Sequence, residues 1–76
     1  MPRSYSDEDK ALGRALRQLR ETAGLTQDQA GDAVGVRGAH VSEVERAQRG
    51  VRWDTLRALL RAYGATLHDL AKILDP

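Results

Sequence analysis

The stretch that decides the fold is residues 26–46, TQDQAGDAVGVRGAHVSEVER. Thr26 followed three residues later by Gln29 forms a capping box, in which hydroxyl and amide each satisfy a backbone N–H at a helix start. That helix carries Ala30, Ala33 and Val34 inward and stops at Gly35, which takes positive φ without a Cβ penalty. About two turns are too few for a helix to stand alone, so it must dock on neighbours. The next helix begins at Arg37 or Gly38 and runs to about Ala47. Its start is poor, because Arg37 is not a capping residue and Gly38 costs about 1 kcal/mol relative to Ala. Two short helices joined at a glycine suggest a helix-turn-helix. Gly31 supplies the small position where the helices cross, and Ala30, Val34, Val36, Val41 and Val44 line the inside of the turn in register.

At about 100° per residue, Val41 and Val44 define the inward direction of the second of these helices. Ala39, Ser42, Glu43 and Arg46 then point outward, and Glu45 sits at the edge of the core. An outward face that ends in Arg46 and continues to Arg49 and Arg52 suits a DNA major groove. Its side chains would meet base edges while the arginines reach phosphates.

Three more helices flank this unit. Ser6 followed by Asp7, Glu8 and Asp9 is an N-cap hydroxyl with carboxylates against the positive end of a helix dipole. Leu12, Ala15, Leu16, Leu19 and Ala23 recur behind it at helical spacing, and Gly24 ends the run. Trp53 to Tyr63 carries Leu56, Leu59, Leu60 and Tyr63 on one face and ends at Gly64. Thr66 with Asp69 caps a last helix whose inward stripe is read as Leu67, Leu70, Ala71 and Leu74, with Ile73 off the stripe. Residues 1–5 precede the first cap and are expected to form a flexible arm; residues 6–76 are expected to form one all-α, compact five-helix domain.

Composition supports this. The 76 residues contain no cysteine, so neither a disulfide nor a Cys-ligated metal helps a core that buries about 60% of the unfolded surface. Ten leucines against no phenylalanine and three aromatics favour helices over strands. No apolar run approaches the roughly 20 residues of a membrane span, and no signal-peptide core follows Met1, so a cytoplasmic protein that keeps off membranes is expected. The net charge of +1 is an average. Residues 1–36 sum to −1, the six arginines of residues 37–61 against Glu43, Glu45 and Asp54 give +3, and the tail gives −1. Ten of the twelve basic residues are arginine, which suits bidentate phosphate or base contacts.

The runs LRQLRETAGLTQDQAGDAVGV, HVSEVERAQRG and LRALLRAYGATLHDL resemble the Cro/repressor-type (XRE, lambda-repressor-like) helix-turn-helix family over nearly the whole chain. The resemblance implies a DNA-binding domain of a bacterial or phage transcriptional regulator, binding an operator as a homodimer at least on DNA. It implies that Gln27 hydrogen-bonds a phosphate, that Gly38, Ala39, Ser42 and Glu43 face bases, and that Arg20 and Glu45 form an ion pair between the first and third helices. An edge-of-core Glu45 needs a cation in any case; Arg20 reads either as that structural tie or as a phosphate contact. The departures are also informative. Arg37 stands where a capping Ser or Thr is common, Ala47 where Gly is usual, and Gly38 and Ala39 replace long polar side chains at the reading end. Base readout is therefore expected to lean on Arg37, His40, Ser42 and Glu43, with Arg46, Arg49 and Arg52 on phosphates. Glu43 either accepts from a cytosine amino group or is a solvated partner for Arg46 or Arg37.

His40 and His68 lack partners at metal-ligand spacing, so neither a metal nor a cofactor is expected. Trp53 is read as a plug between the arginine-rich loop and the fourth helix. Tyr63 and Ile73 are candidate dimer contacts. Five helices use the whole length, which leaves no expected effector domain, small-molecule ligand or enzymatic pocket. The competing reading is a protein-interaction module or antitoxin on the same fold, motivated by the small net charge and the sparse reading face.

Overall fold

The computed structural model describes residues 6–76, and the expected arm at residues 1–5 lies outside them. Five helices follow one another among the described residues: α1 (Asp7–Thr22), α2 (Gln27–Val34), α3 (Gly38–Glu45), α4 (Trp53–Ala62) and α5 (Leu67–Leu74). Three of them start on a reciprocal capping box, Ser6 with Asp9, Thr26 with Gln29 and Thr66 with Asp69. Each box satisfies two backbone donors that the helix itself leaves without partners.

Three helix ends also share one geometry. After α1, Gly24 N–H donates to the Glu21 carbonyl and Leu25 N–H to that of Arg20, at 3.0 and 3.2 Å. Gly64 and Ala65 repeat the pattern after α4, and Ala47 and Gln48 repeat it after α3. This is the paired carbonyl closure whose pivot residue is left-handed. Gly24 and Gly64 occupy two of the pivots at φ 75° and 67°, while the third is Ala47 at φ 56°.

Two apolar clusters hold the helices together. Ala15 and Leu16 of α1 meet Val44, Leu56, Leu60 and Leu70, while Ala30 of α2 meets Val41, Leu59 and Tyr63. Leu19 packs against both and joins them. Close approach is written into the glycines. A Cβ on Gly13 would lie 2.8 Å from the Val44 carbonyl oxygen, and one on Gly31 would overlap that of Val36. α3 is therefore seated against bare backbone of both α1 and α2, and its outward face is fixed by that seating.

Four expectations need correcting. Ala33 is exposed, because the inner face of α2 is centred on Ala30, Gly31 and Val34, and Ala33 lies roughly 100° off it. Trp53 is 63% exposed; Val51, half-buried against the α1 cluster, occupies the junction instead. α5 is turned roughly a quarter turn from the expected stripe, because it meets α1 through Leu70 and Ile73. Leu67, Ala71 and Leu74 consequently face out. Tyr63 is 8% exposed inside the second cluster, and Ile73 is half-buried, so the open apolar surface on α5 is built from Leu67 and Leu74 instead of from the expected pair.

Candidate nucleic-acid interface

The orientation of α3 is set by a buried ion pair. Arg20 Nε donates to Glu45 Oε2 at 2.6 Å and its Nη2 donates to Oε1 at 3.0 Å. The two side chains are 10% and 3% exposed. Arg20 Nη1 also donates to the Leu25 carbonyl at 2.8 Å, so one guanidinium ties α1, the α1–α2 connection and the end of α3. The hydrogen bond to Glu45 holds the Arg20 pKa above its ordinary value against the opposing effect of burial. Gln27 completes the cluster, its Nε2 donating to Glu45 Oε1 at 3.1 Å. In this structure the Gln27 amide therefore faces Glu45.

With its inner side fixed, α3 presents Ala39 and Arg46 as exposed and His40, Ser42 and Glu43 as half-buried. Arg37 is exposed at its start and makes no side-chain cap. Asp28 stands in that position instead: its carboxylate lies over Gly38, where any Cβ would collide with it. A negative charge there suits the positive end of the α3 dipole. Glu43 is engaged by neither Arg37 nor Arg46. Its Oε2 accepts from Arg49 Nε at 2.9 Å, and Arg46 Nε turns back to the Ser42 carbonyl at 3.4 Å.

Beside this face a depression opens at the start of α2, lined by Arg17, Thr26, Gln27 and Arg46 with the Arg20–Glu45 pair as its floor. Two cationic side chains thus border a helix N-terminus, an arrangement that favours an anion. Farther along, Arg52 is 85% exposed beside Asp54, and Arg57 lies over the Trp53 ring at 5.7 Å. Among the described residues there is no group of three or more His, Cys, Asp or Glu able to hold a metal, and no helix long and apolar enough to cross a membrane.

Residues 11–73 match the profile of the family described as "Helix-turn-helix domain". The chain belongs to the Cro/repressor-type helix-turn-helix family. Among relatives of this family, the HTH-type transcriptional regulator PuuR of Escherichia coli is 33% identical over 64 residues, covering 84% of this chain and 35% of PuuR. DdrOP3 of Deinococcus deserti is 34% identical over 59 residues, covering 78% of this chain and 46% of that protein. The chain thus spans about a third to a half of these regulators. The crystal structure of the clp gene regulator ClgR from Corynebacterium glutamicum superposes with a TM-score of 0.83 at 30% identity, covering 92% of this chain and 91% of that one.

Within this helix-turn-helix, Gly35 takes φ 80° at the turn, and its neighbour Val36 N–H donates to the Gly31 carbonyl at 2.9 Å. Sequence reasoning missed three residues around the site. Asp28 looks like an ordinary first-turn acid, and only the bare Gly38 opposite it hints at a contact. Gly13 is visible as a glycine inside a helix, a position that costs stability unless something approaches closely. Arg17 lies three residues before Arg20 and reads as one half of an exposed i,i+4 pair with Glu21, which it also forms at 3.3 Å.

Proposed function

We propose that the chain is the double-stranded DNA-binding part of a transcriptional regulator, acting in the cytoplasm without catalytic chemistry. It binds an operator with α3 in the major groove. Base contacts fall to Arg37, His40, Ser42 and Glu43, with Ala39 allowing close approach; Gly38, expected to face bases, turns towards Asp28 of α2 instead. Phosphate contacts fall to Gln27, Arg46 and Arg52, joined by Arg17 at the depression beside α2. The single observation that carries this reading is the coincidence of the family's turn with an outward α3 face continued by arginines. Because Gln27 donates to Glu45 in the free chain, binding a phosphate requires its amide to turn or its backbone N–H to serve. Dimerisation on DNA is assigned to the exposed Leu67 and Leu74 of α5, in place of Tyr63 and Ile73.

A gel-shift titration at several salt concentrations tests the reading. Arg46→Gln and Arg52→Gln should weaken binding to all sequences and lower the slope of log K against log salt by about one per lost phosphate contact. Ser42→Ala should instead change which sequence is preferred. Binding unaltered by any of these variants would contradict the assignment and favour a protein partner.

A further inference from the structure

The reading end of α3 is unusually bare. Gly38 is covered by the Asp28 carboxylate and Ala39 carries only a methyl group, so the first two positions of the helix extend no polar side chain towards a base. A shallow concavity results, lined by Arg37, Ala39, His40 and Glu43 of the turn and α3 and, from outside the helix, by Arg49. The loop delivers Arg49 there because Ala47 adopts φ 56° and reverses the chain just after α3, with Gln48 N–H closing on the Glu43 carbonyl at 2.8 Å. Six residues beyond Glu43, Arg49 comes back alongside it, and its Nε donates to Glu43 Oε2 at 2.9 Å. The side chains are 49% and 35% exposed, so the pair is open to a ligand and still partly ordered by its surroundings.

We infer that Arg49 is a base-reading residue, held over the bare end of the recognition helix by Glu43, and that the pair reads a guanine. This rests on the DNA-binding reading above; it gives Arg49, expected from the sequence on a phosphate, a base to read, and moves Glu43 from base contact to support. The chemistry follows from the hydrogen-bond inventory. A guanidinium anchored through Nε keeps its two Nη donors as a planar fork, and a fork matches the O6 and N7 acceptors of guanine in the major groove. Glu43 is then a positioning residue. It orients Arg49, and the arginine neutralises a carboxylate that would otherwise repel the phosphates on either side. The alternatives differ in what they demand of Arg49. As a phosphate contact it would need only charge, and with Glu43 on a cytosine amino group it would be dispensable for base choice.

The test begins with sites selected by the wild-type chain from a random duplex pool. The Kd of each variant is then measured for the selected site and for every single base-pair change, at one salt concentration. Arg49→Lys keeps the charge and loses the fork; Glu43→Gln keeps the shape and loses the ionic anchor. Urea midpoints by circular dichroism establish that both variants fold. Arg49→Lys should lose roughly 5- to 150-fold of discrimination at one G·C pair, while the other positions keep theirs. Glu43→Gln should weaken the same position, and the double variant should be no worse than Arg49→Lys alone. An unaltered profile for Arg49→Lys overturns the inference, as does a Glu43→Gln effect confined to a different base pair. A wild-type chain that selects no sequence overturns this inference and the DNA-reading proposal together. Selection that survives with Arg49 irrelevant overturns this one alone.

Discussion

Replacing Arg20 by Met isolates the energetic role of the ion pair beneath α3. Met reproduces the apolar stem of Arg, so packing along the stem is largely kept while the charge and three hydrogen bonds are removed. Glu45 is then left 3% exposed with the Gln27 amide as its remaining side-chain donor. Breaking a buried pair from one side costs about 3–5 kcal/mol, because the surviving charge has been taken out of water without compensation. A 76-residue domain has in total about 4–11 kcal/mol at 0.05–0.15 kcal/mol per residue. Arg20→Met should therefore remove about a quarter of the stability or more, and the urea midpoint at 222 nm should fall accordingly. Replacing both partners separates this cause from simple loss of contacts. Arg20→Met with Glu45→Leu removes the stranded charge and should recover most of the loss, since an apolar pair of similar volume often matches a buried ion pair. A single variant that loses less than about 1 kcal/mol, well below that penalty, would show that no stranded charge is left at Glu45. So would a double variant no more stable than the single one.

Other perturbations follow from particular residues. Ala47→Gly should raise stability by about 1 kcal/mol, because the left-handed φ of 56° strains a residue with a Cβ; in a domain of this size the melting temperature should rise by about 4–8 °C. Tyr63→Phe should match or exceed the wild type at neutral pH, since the buried hydroxyl has no hydrogen-bond partner among the described residues. Burial, with the Glu45 carboxylate second, pushes the Tyr63 phenol from 10.0 up to about 12. Its neutral form is favoured by folding, so that contribution is whole below pH 10.0 and is lost as pH rises through about 12; denaturation curves of Tyr63→Phe should lack this alkaline loss. Leu67→Ser with Leu74→Ser should leave the monomer folded by circular dichroism and weaken binding to two half-sites more than to one, because both side chains are over a third exposed.

The local punctuation of this fold is readable in the residues themselves. Ser6, Thr26 and Thr66 each precede an acid or amide by three positions, and Gly24, Gly35 and Gly64 stand where left-handed backbone is needed. Such signals depend on neighbours in the chain. What a helical wheel lacks is the identity of the packing partner. Leu67 and Leu74 look as apolar as Leu70, yet α1 meets α5 through Leu70 and Ile73 and leaves the other two outside. Trp53 follows the same logic, since Val51 fills the junction from one residue before the N-cap. At the candidate site, Glu45 shows its need for a cation by sitting at the edge of the core, and the family pattern points 25 residues back to Arg20. The Glu43–Arg49 contact carries no such signal. It depends on the backbone reversal at Ala47, where the glycine usual in the family is the one hint of left-handed backbone and says nothing of which side chains the reversal brings together.

Whether α3 reads duplex DNA as part of a symmetric pair is decided by selecting bound sites from a random duplex pool. The enriched site should hold two inverted half-sites whose centres lie about 10–10.5 base pairs apart, one turn of the double helix. A pool that shows no enriched sequence after repeated rounds would contradict DNA reading by α3.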